Sequence, residues 1–414
     1  MHIILLTSLA ATLAACSPEP HSFNLDGTHI SEPCNLYEDV SRKFRADLYN
    51  ISLITYQALA RRSDLNYVYS PLSIWLTLAG LAEGADYHTQ QQLFNFLKLS
   101  TDACSRQKYY RRATSRIVQS DDVNIINNRI LLIDSGVTLN PTWYDLVLKN
   151  NLLEVLSAPL RSNPILTTIE VKQLTNIHNS RLDLTGNSIL LDTIDYNALW
   201  TTEFEHAKID RSPFFNQVGE LVGFVDLMRM KKRARLGHIK SVNAKALELP
   251  VGQDERFKMV FVIFLETNDV NQKLNILDTS VAFEVFDSFK TSYVPVEVAI
   301  PRVLITSEVD VRSMLEELGI TSLWNDPVAT RNISSPSALP RSYVQRTALT
   351  LDNRGLLPPP PPEILGPLDT PVTGLDPKLG NDFIANQPFF FGLFDSESLT
   401  CIIAAAISAP TYKF

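Results

Sequence analysis

The residues with the most unusual chemistry are five consecutive prolines, Pro358, Pro359, Pro360, Pro361 and Pro362. They directly follow Gly355-Leu356-Leu357. A prolyl residue has no backbone N–H and a fixed φ angle, so the run cannot donate hydrogen bonds to a neighbouring strand. It favours a stiff polyproline II rod instead. Such a rod could dock into an aromatic groove on a partner, or it could be a spacer. Either way, the prolines predict a displayed segment.

Motifs for catalysis or metal binding are missing from the sequence. There is no G-x-S-x-G elbow, Walker loop or G-x-G-x-x-G fingerprint, and the seven histidines show no metal-ligand spacing. The four cysteines, Cys16, Cys34, Cys104 and Cys401, form no C-x-x-C pair, although Cys34 and Cys104 could pair in an oxidising compartment. We therefore predict no enzymatic activity, no metal and no cofactor.

The prolines lie in a long stretch without a clear periodic pattern. An alternating run from Ala348 ends at the turn residues Asp352-Asn353-Arg354, and the next strand-like run begins at Phe389. Loops longer than about 12–15 residues in a compact domain are usually functional or disordered. We therefore predict that this loop is the working part of the protein.

The composition favours an ordinary folded protein. The chain has 414 residues, of which 45% are hydrophobic and 20% charged, and no linker divides it, so we expect one large domain. Its net charge of -8 gives no general attraction for nucleic acid or anionic membrane. The densest basic cluster, Lys231-Lys232-Arg233 with Arg235, is either a solvated face or a polyanion site.

The N-terminal residues predict secretion. Residues 3 to 15 are largely apolar but too few to span a bilayer, and small residues follow, so residues 1–16 are interpreted as a signal peptide. Leu13-Ala14-Ala15-Cys16 also fits a bacterial lipoprotein cleavage box. In a secreted chain, Asn50-Ile51-Ser52 and Asn332-Ile333-Ser334 are glycosylation acceptors.

Helices precede strands in the predicted order of elements. Ser70-Pro71 predicts a helix start, Thr89 begins a capping-box pattern, and Ser307 is a predicted cap for a later helix. Phe257 to Leu265 is typical of a strand covered on both faces, and alternation from Val294 to Ile300 predicts another. This segregation of helices and strands favours an α+β fold.

From Asn66-Tyr67-Val68-Tyr69-Ser70-Pro71-Leu72-Ser73-Ile74 onward, the chain resembles the serpin family. The resemblance covers roughly residues 36 to 410. It continues through Gly84-Ala85, Thr89-Gln90, Trp200 with Phe204, Pro295 to Pro301, Leu318-Gly319-Ile320, the strand into Gly355, Asn386-Gln387-Pro388-Phe389-Phe390-Phe391 and Ala409-Pro410. The resemblance therefore predicts an N-terminal extension at residues 17–35 and a serpin domain at residues 36–414. Within this domain the reactive-loop region is residues 353–385.

The resemblance implies helices around three β-sheets and a long exposed loop that acts as bait for a protease. In inhibitory members the protease cleaves the loop and stays acylated to it, while the freed segment inserts as a central strand of the main sheet. The loop positions that could face a protease are Leu365, Leu368, Leu375 and Lys378.

The family also implies a polar cluster beneath the opening of the main sheet. Ser70 and Ser73 match its two serines, whereas Asp192 replaces the usual Asn and Gln345 the usual His. Our hypothesis is that the Gln345 amide donates a hydrogen bond to the Asp192 carboxylate. The alternative is that both are ordinary buried polar residues.

The hinge of the loop departs from the inhibitory pattern. Inhibitory serpins have small residues after the glycine that corresponds to Gly355, whereas this chain has Leu356, Leu357 and then Pro358 to Pro362. Full insertion would place prolines in a central strand, although a shorter insertion, ending before Pro358, would place only Leu356 and Leu357 there.

We therefore predict a secreted, monomeric and non-inhibitory binding or protease-decoy module. Its predicted partner is an extracellular protease or another protein that contacts the loop. The alternatives are an extracellular serine or cysteine endopeptidase inhibitor, and a storage or structural protein.

Overall fold

The computed structural model describes residues 34, 42–62, 66–115, 117, 122–177, 182–205, 208–216, 218–253, 255–265, 279–359, 382–396, 398 and 400–411. The chain divides into two units, Met1–Asn35 and Leu36–Phe414, and only Cys34 of the first is described.

Helices dominate the part of the fold that precedes the first long strand. The helices are α1 Arg42–Arg62, α2 Pro71–Ala82, α3 Tyr87–Leu97, α4 Ala103–Thr114, α5 Pro141–Lys149, α6 Pro164–Thr175, α7 Thr279–Ser288, α8 Val311–Glu317 and α9 Ser322–Asn325.

Strands make up most of the remaining regular structure. They are β1 Tyr67–Tyr69, β2 Val123–Asp134, β3 Thr138–Leu139, β4 Glu154–Ala158, β5 Ser188–Leu199, β6 Ile209–Phe215, β7 Leu221–Lys232, β8 Arg235–Ile239, β9 Ala244–Val251, β10 Phe257–Phe264, β11 Lys290–Thr291, β12 Val296–Pro301, β13 Val303–Asp310, β14 Ser334–Ser335, β15 Pro340–Leu351, β16 Gly355–Leu357, β17 Phe383–Ile384, β18 Phe389–Asp395 and β19 Thr400–Ile407.

The strands form three larger sheets and one two-stranded sheet. The six-stranded sheet, hereafter the main sheet, has the order β13-β15-β16-β5-β2-β4. A seven-stranded sheet has the order β1-β19-β18-β10-β9-β8-β11, and a four-stranded sheet the order β17-β12-β7-β6. The predicted α+β fold with helices around three sheets is therefore confirmed.

The helix starts show where local sequence signals decided the structure. Ser70 caps α2 as predicted, because its side chain accepts a hydrogen bond from the Ser73 N–H, and Pro71 occupies the first turn. The predicted start at Thr89 is wrong. The helix α3 begins at Tyr87 because the carboxylate of Asp86 accepts hydrogen bonds from the backbone N–H groups of His88 and Thr89.

Two further expectations from local sequence are wrong, because the positions of these residues in the folded chain override the local pattern. Ser307 does not cap a helix but lies within β13, where its hydroxyl accepts a hydrogen bond from the Val68 N–H. Asp310 caps α8 instead. Val294 alternates with the buried valines of β12, yet it precedes that strand and is 60% exposed.

Aromatic rings of the seven-stranded sheet form a large part of the core. The ring of Phe261 on β10 packs against those of Trp200, Phe389 and Phe391, with centroids 5.8–6.4 Å apart. Such pairs add to the free energy gained by burying apolar surface. Among the described residues, no helix is long and apolar enough to cross a membrane.

Replacing Phe261 by Ala should destabilise the protein strongly. The loss of the ring leaves a cavity among three other rings, so we expect the free energy of unfolding to fall by about 3–5 kcal/mol. Chemical denaturation measures this value. Tyr293→Ala is the control, because Tyr293 is 96% exposed; equal effects of the two substitutions would contradict the described core.

Candidate functional site

The hinge of the loop begins with a tight turn after β15. The N–H of Asp352 donates to the Gly355 carbonyl at 2.9 Å, and the N–H of Gly355 donates to the Asp352 carbonyl at 3.2 Å. The Asp352 carboxylate also accepts from the Arg354 N–H at 2.8 Å. This turn reverses the chain, so that Gly355 and the residues after it run back beside β15.

The returning chain forms β16, a three-residue strand between β15 and β5. Leu356 pairs with Leu351 of β15 on one side and with Ala198 of β5 on the other, antiparallel to both. The expectation that the span between Asp352 and Phe389 lacks strands is therefore wrong at Gly355–Leu357, and also at Phe383–Ile384. In the intact chain the hinge is paired with the main sheet as far as Leu357; how far a cleaved loop inserts stays a prediction.

Backbone and side-chain contacts hold the hinge in this position. The Trp200 indole N–H donates to the Asp352 carbonyl at 2.9 Å, and the Trp200 backbone N–H donates to the Arg354 carbonyl at 2.8 Å. The N–H of Phe204 donates to the Asn353 carbonyl at 2.9 Å. Leu356 is fully buried in the main core, so its side chain anchors the strand.

The strand ends where the prolines begin. Pro358 and Pro359 are described and follow β16 without strand structure. The far end of the loop is anchored at Asp382, whose carboxylate accepts from the Glu297 N–H at 2.9 Å. Asp382 leads into β17, which pairs with β12.

The other predicted loop residues cannot be placed in the fold. The three remaining prolines and the four candidate protease-facing residues lie outside the described residues. They are Pro360, Pro361, Pro362, Leu365, Leu368, Leu375 and Lys378. The predicted roles of these seven residues therefore stay predictions.

The register of β16 defines what deeper insertion would require. Continuing its pairing would place Pro358 between Leu349 and Tyr196, and Pro360 between Thr347 and Ile194. Thr347 and Ile194 now pair directly, because β15 and β5 are parallel neighbours below β16. Any insertion past Pro359 must therefore separate β15 from β5.

The four predicted residues of the polar cluster lie together under this closed part of the sheet. The Gln345 amide donates to the Asp192 carboxylate at 2.8 Å, and the Ser73 hydroxyl donates to the same carboxylate at 2.6 Å. The Gln345 amide oxygen accepts from the Ser70 N–H at 2.7 Å, and its amide nitrogen donates to the Ser70 carbonyl at 3.1 Å. The hydrogen bond that we hypothesised between Gln345 and Asp192 is thus present.

Three members of the cluster were missed by the sequence analysis. Asn127 donates to the Asp192 carboxylate at 3.0 Å, and the Tyr343 hydroxyl donates to it at 3.4 Å. Arg129 lies directly opposite Asp192 in the pairing of β2 with β5 and donates to the Asn127 side chain. Three successive polar residues, Asn127 to Arg129, just before the apolar run of β2, were the signal that could have revealed them.

Burial controls the protonation of this cluster. It raises the pKa of the Asp192 carboxyl, while hydrogen bonds from Ser73 and Gln345 and the charge of Arg129 oppose the rise. Burial lowers the pKa of Arg129 to about 10, although the nearby Asp192 carboxylate favours the charged form. The Ser70 hydroxyl donates to the Ile402 carbonyl at 2.7 Å, which links the cluster to the seven-stranded sheet.

The remaining predicted sites have simpler surroundings. Asn50 lies on α1 and is half-buried, whereas Asn332 is exposed and its side-chain amide donates to the Ala85 carbonyl at 3.0 Å. Cys34 and Cys104 are both disulfide-bonded. Cys401 is free and buried, which raises the pKa of its thiol. The described residues contain no group of side chains that could hold a metal ion.

The basic cluster spans the connection between β7 and β8. The Arg233 guanidinium donates to the Ser292 carbonyl at 3.0 Å, and Arg235 forms an ion pair with Glu248 at 2.7 Å. Lys231 and Arg233 are exposed. These contacts are compatible with a solvated face.

The stability of Asp192→Asn relative to wild type should depend on pH. Folding raises the pKa of Asp192, so the folded wild type binds this proton more tightly than the unfolded chain does. Wild type therefore loses stability as the pH rises from the ordinary Asp range through the folded-state pKa. Because Asn cannot titrate, the Tm of the variant minus that of wild type should increase across this window.

Thermal unfolding between about pH 3 and 8 measures the difference. The control Asp145→Asn removes a carboxylate from an exposed position of α5 and should give a nearly constant difference. A constant difference for Asp192→Asn as well would contradict the described cluster.

Gly355→Ala should expel β16 from the main sheet. Gly355 has φ of +154°, and an added Cβ would lie 2.2 Å from the Ala198 carbonyl oxygen, which is backbone and cannot rotate away. The strained φ alone costs on the order of 1–3 kcal/mol. Limited proteolysis at residues 355–359 should therefore be about tenfold faster or more.

Gly219→Ala is the matched control, since Gly219 also has a positive φ, of +83°, but no atom within 4 Å of an added Cβ. In the Gly219→Ala variant, the hinge at residues 355–359 should be cleaved at the wild-type rate. Unchanged cleavage in Gly355→Ala would show that β16 does not depend on the missing side chain.

Comparisons with known proteins agree with this geometry. The family model described as "Serpin (serine protease inhibitor)" matches residues 47–410. A relative named "FXa-directed anticoagulant" from Aedes aegypti is 23% identical over 94% of this chain and 92% of its own. Human "Pigment epithelium-derived factor" is 22% identical over 95% of this chain and 92% of its own length. The crystal structure of uncleaved ovalbumin aligns with a TM-score of 0.76 at 17% identity, covering 89% of this chain and all of its own. The chain belongs to the serpin family.

Proposed function

We propose that this protein is a secreted, non-inhibitory serpin that presents its loop as a binding or protease-decoy module. The observation that carries the proposal is the end of β16 at Leu357, immediately before Pro358. β16 ends at the last residue before five consecutive positions that lack a backbone N–H.

The backbone argument applies to each proline in turn. A central strand donates its N–H groups to the strands on both sides, and prolines are confined to edges, strand starts and bulges. Five prolines inserted along the observed register would leave up to five buried acceptors without partners, at about 1–3 kcal/mol each. The total, on the order of 5–15 kcal/mol, is comparable with the net stability of a protein. Insertion should stop at the hinge.

Display of the loop is supported by its two anchors. At one end β16 is paired on both sides, and at the other end Asp382 and β17 are bonded to β12. Residues 358–381 therefore connect two fixed points of the fold. The loop residues Leu365, Leu368, Leu375 and Lys378 are the proposed contacts for a partner protein.

Secretion is supported by the cysteines and the N-terminal residues. Disulfides persist in oxidising compartments, and Cys34 and Cys104 are both disulfide-bonded. We propose that residues 1–16 are removed as a signal peptide. The exposed Asn332 is then a better glycan acceptor than Asn50, which is half-buried on α1.

A protease inhibitor that acts through the loop is the second candidate. The relative named "FXa-directed anticoagulant" favours it. In this version the anchored loop would occupy a protease reversibly, as a tightly bound substrate does, without insertion. Neither candidate traps a protease covalently. They differ in one respect: the second candidate inhibits a protease by reversible binding, whereas the first does not inhibit it.

Nicking the loop of the secreted protein with a non-specific protease tests the proposal. If the prolines stop insertion, the Tm of the nicked protein should stay within a few degrees of the intact value, and SDS gels should show cleavage without a stable adduct. The change is small because no new strand is added to the main sheet. A large rise in Tm with a higher-mass protease adduct would overturn the proposal.

A variant with Pro358 to Pro362 replaced by alanine is the matched comparison. Its backbone can donate at all five positions, so the nicked variant should gain stability if the prolines are the barrier. Reversible inhibition of a protease by the intact wild-type protein, without an adduct, would support the second candidate.

A further inference from the structure

Two neighbouring connections, between β7 and β8 and between β11 and β12, carry exposed aromatic and basic side chains. Tyr293 is 96% exposed, more than any other large hydrophobic side chain of the described residues, and the adjacent Val294 is 60% exposed. Lys231, Arg233 and Lys290 lie at the same connections and are exposed as well. These five residues are called the aromatic-basic surface below.

Ser292 holds the two connections together. Its N–H donates to the Ala234 carbonyl at 2.9 Å, and its hydroxyl accepts from the Ala234 N–H at 3.1 Å. Its carbonyl accepts from the Arg233 guanidinium at 3.0 Å, and its hydroxyl donates to the Val294 carbonyl at 2.8 Å. These hydrogen bonds fix the backbone on both sides of Tyr293, so the surface is preorganised for binding.

The three cations of this surface have no carboxylate within ion-pair distance among the described residues. Glu297 lies opposite Lys231 in the pairing of β12 with β7, but its carboxylate accepts from the Arg229 guanidinium at 2.5 Å. The neighbouring Arg235 is paired with Glu248 at 2.7 Å. The surface therefore keeps a positive charge on a chain whose net charge is -8.

The far anchor of the loop lies beside this surface. Asp382 bonds to the Glu297 N–H, and β17, which follows Asp382, runs parallel to β12. Because the two strands are parallel, the loop joins the four-stranded sheet at the end where β12 begins, next to Val294. Lys231 lies two strands from Asp382, which is about 10 Å at the usual strand spacing. A protein that binds the loop near this anchor therefore also meets the surface.

We propose that the aromatic-basic surface is a second contact site for the partner of the loop, and that this partner is a protease with an acidic surface beside its active-site cleft. The inference rests on the proposed function, because it names the kind of protein that engages the displayed loop. Complementary charges accelerate association and suppress wrong partners. Tyrosine and arginine are among the residues that contribute most to binding at protein interfaces.

A solvated face or a polyanion site would account for the cations alone. Single apolar side chains on a surface are common, but Tyr293 and Val294 are adjacent, and cations lie at the same connections. A sulfated polysaccharide would use the charges and gain little from these two side chains. An acidic protein surface would use both, since aromatic residues and arginine are enriched at the centre of protein interfaces.

Cleavage of the loop by two trypsins of opposite net charge tests the proposal. Anionic and cationic trypsin both cut after Lys, so the fragment that begins at Leu379 reports cleavage after Lys378 and gives kcat/KM for each enzyme. The net charge of -8 by itself would favour the cationic enzyme. We expect instead that the anionic enzyme cuts about tenfold faster or more at low ionic strength. This advantage should fall as salt screens the charges.

Charge variants locate the effect on the surface. The triple variant Lys231→Gln, Arg233→Gln and Lys290→Gln should lose the advantage of the anionic enzyme. Its matched control removes the same amount of charge from exposed positions elsewhere and should keep the advantage; the control substitutions are Lys149→Gln, Lys172→Gln and Arg331→Gln.

Tyr293→Ala tests the aromatic part, because it keeps every charge. Binding of catalytically inactive anionic trypsin should be about fivefold weaker or more in this variant, whereas a heparin fragment should bind the variant and wild type alike.

The outcomes separate this inference from the proposed function. Equal cleavage of the loop by the two enzymes, or faster cleavage by the cationic one, would overturn the second contact site and leave the proposed function standing. Heparin binding that the triple variant loses, without a preference for anionic trypsin, would assign the surface to a polyanion and also overturn the proposal. Absence of cleavage between residues 358 and 381 by both enzymes would overturn the displayed loop, and the second contact site with it.

Discussion

The need of a central strand for hydrogen bonds on both edges is the constraint on which this structure depends. β16 meets it around Leu356, which pairs with both β15 and β5, while Gly355 pairs with β5 and Leu357 with β15. The next residue is a proline, which has no N–H to donate. β16 thus ends at the residue before the first backbone position that lacks a donor.

The position of the hinge depends in turn on contacts from other parts of the chain. Trp200 and Phe204 bond three carbonyl groups of the turn, and Leu356 is buried in the core. Gly355 is required because its φ is positive and the backbone of Ala198 leaves no room for a Cβ. The hinge is therefore part of the folded body, and the loop begins only after it.

Below the hinge lies a buried polar cluster, in an interior position where apolar residues would need no hydrogen-bond partners. Buried polar groups are tolerated when all their hydrogen bonds are made, and an incomplete network is costly. Here donors from α2, β2 and β15 meet at the Asp192 carboxylate, opposite the buried Arg129. Since the members come from separate elements, the cluster joins the helix to both neighbours of β5.

The sequence by itself determined the family resemblance, the α+β class, the cap at Ser70 and the hydrogen-bond partners Gln345 and Asp192. These rest on local chemistry or on motifs in a fixed order. Tertiary structure alone decided that Ser307 bonds to Val68 instead of capping a helix, that Val294 is exposed, and that Arg129 faces Asp192. Pairing between distant strands sets which side chains meet, and no local pattern contains the register of such strands.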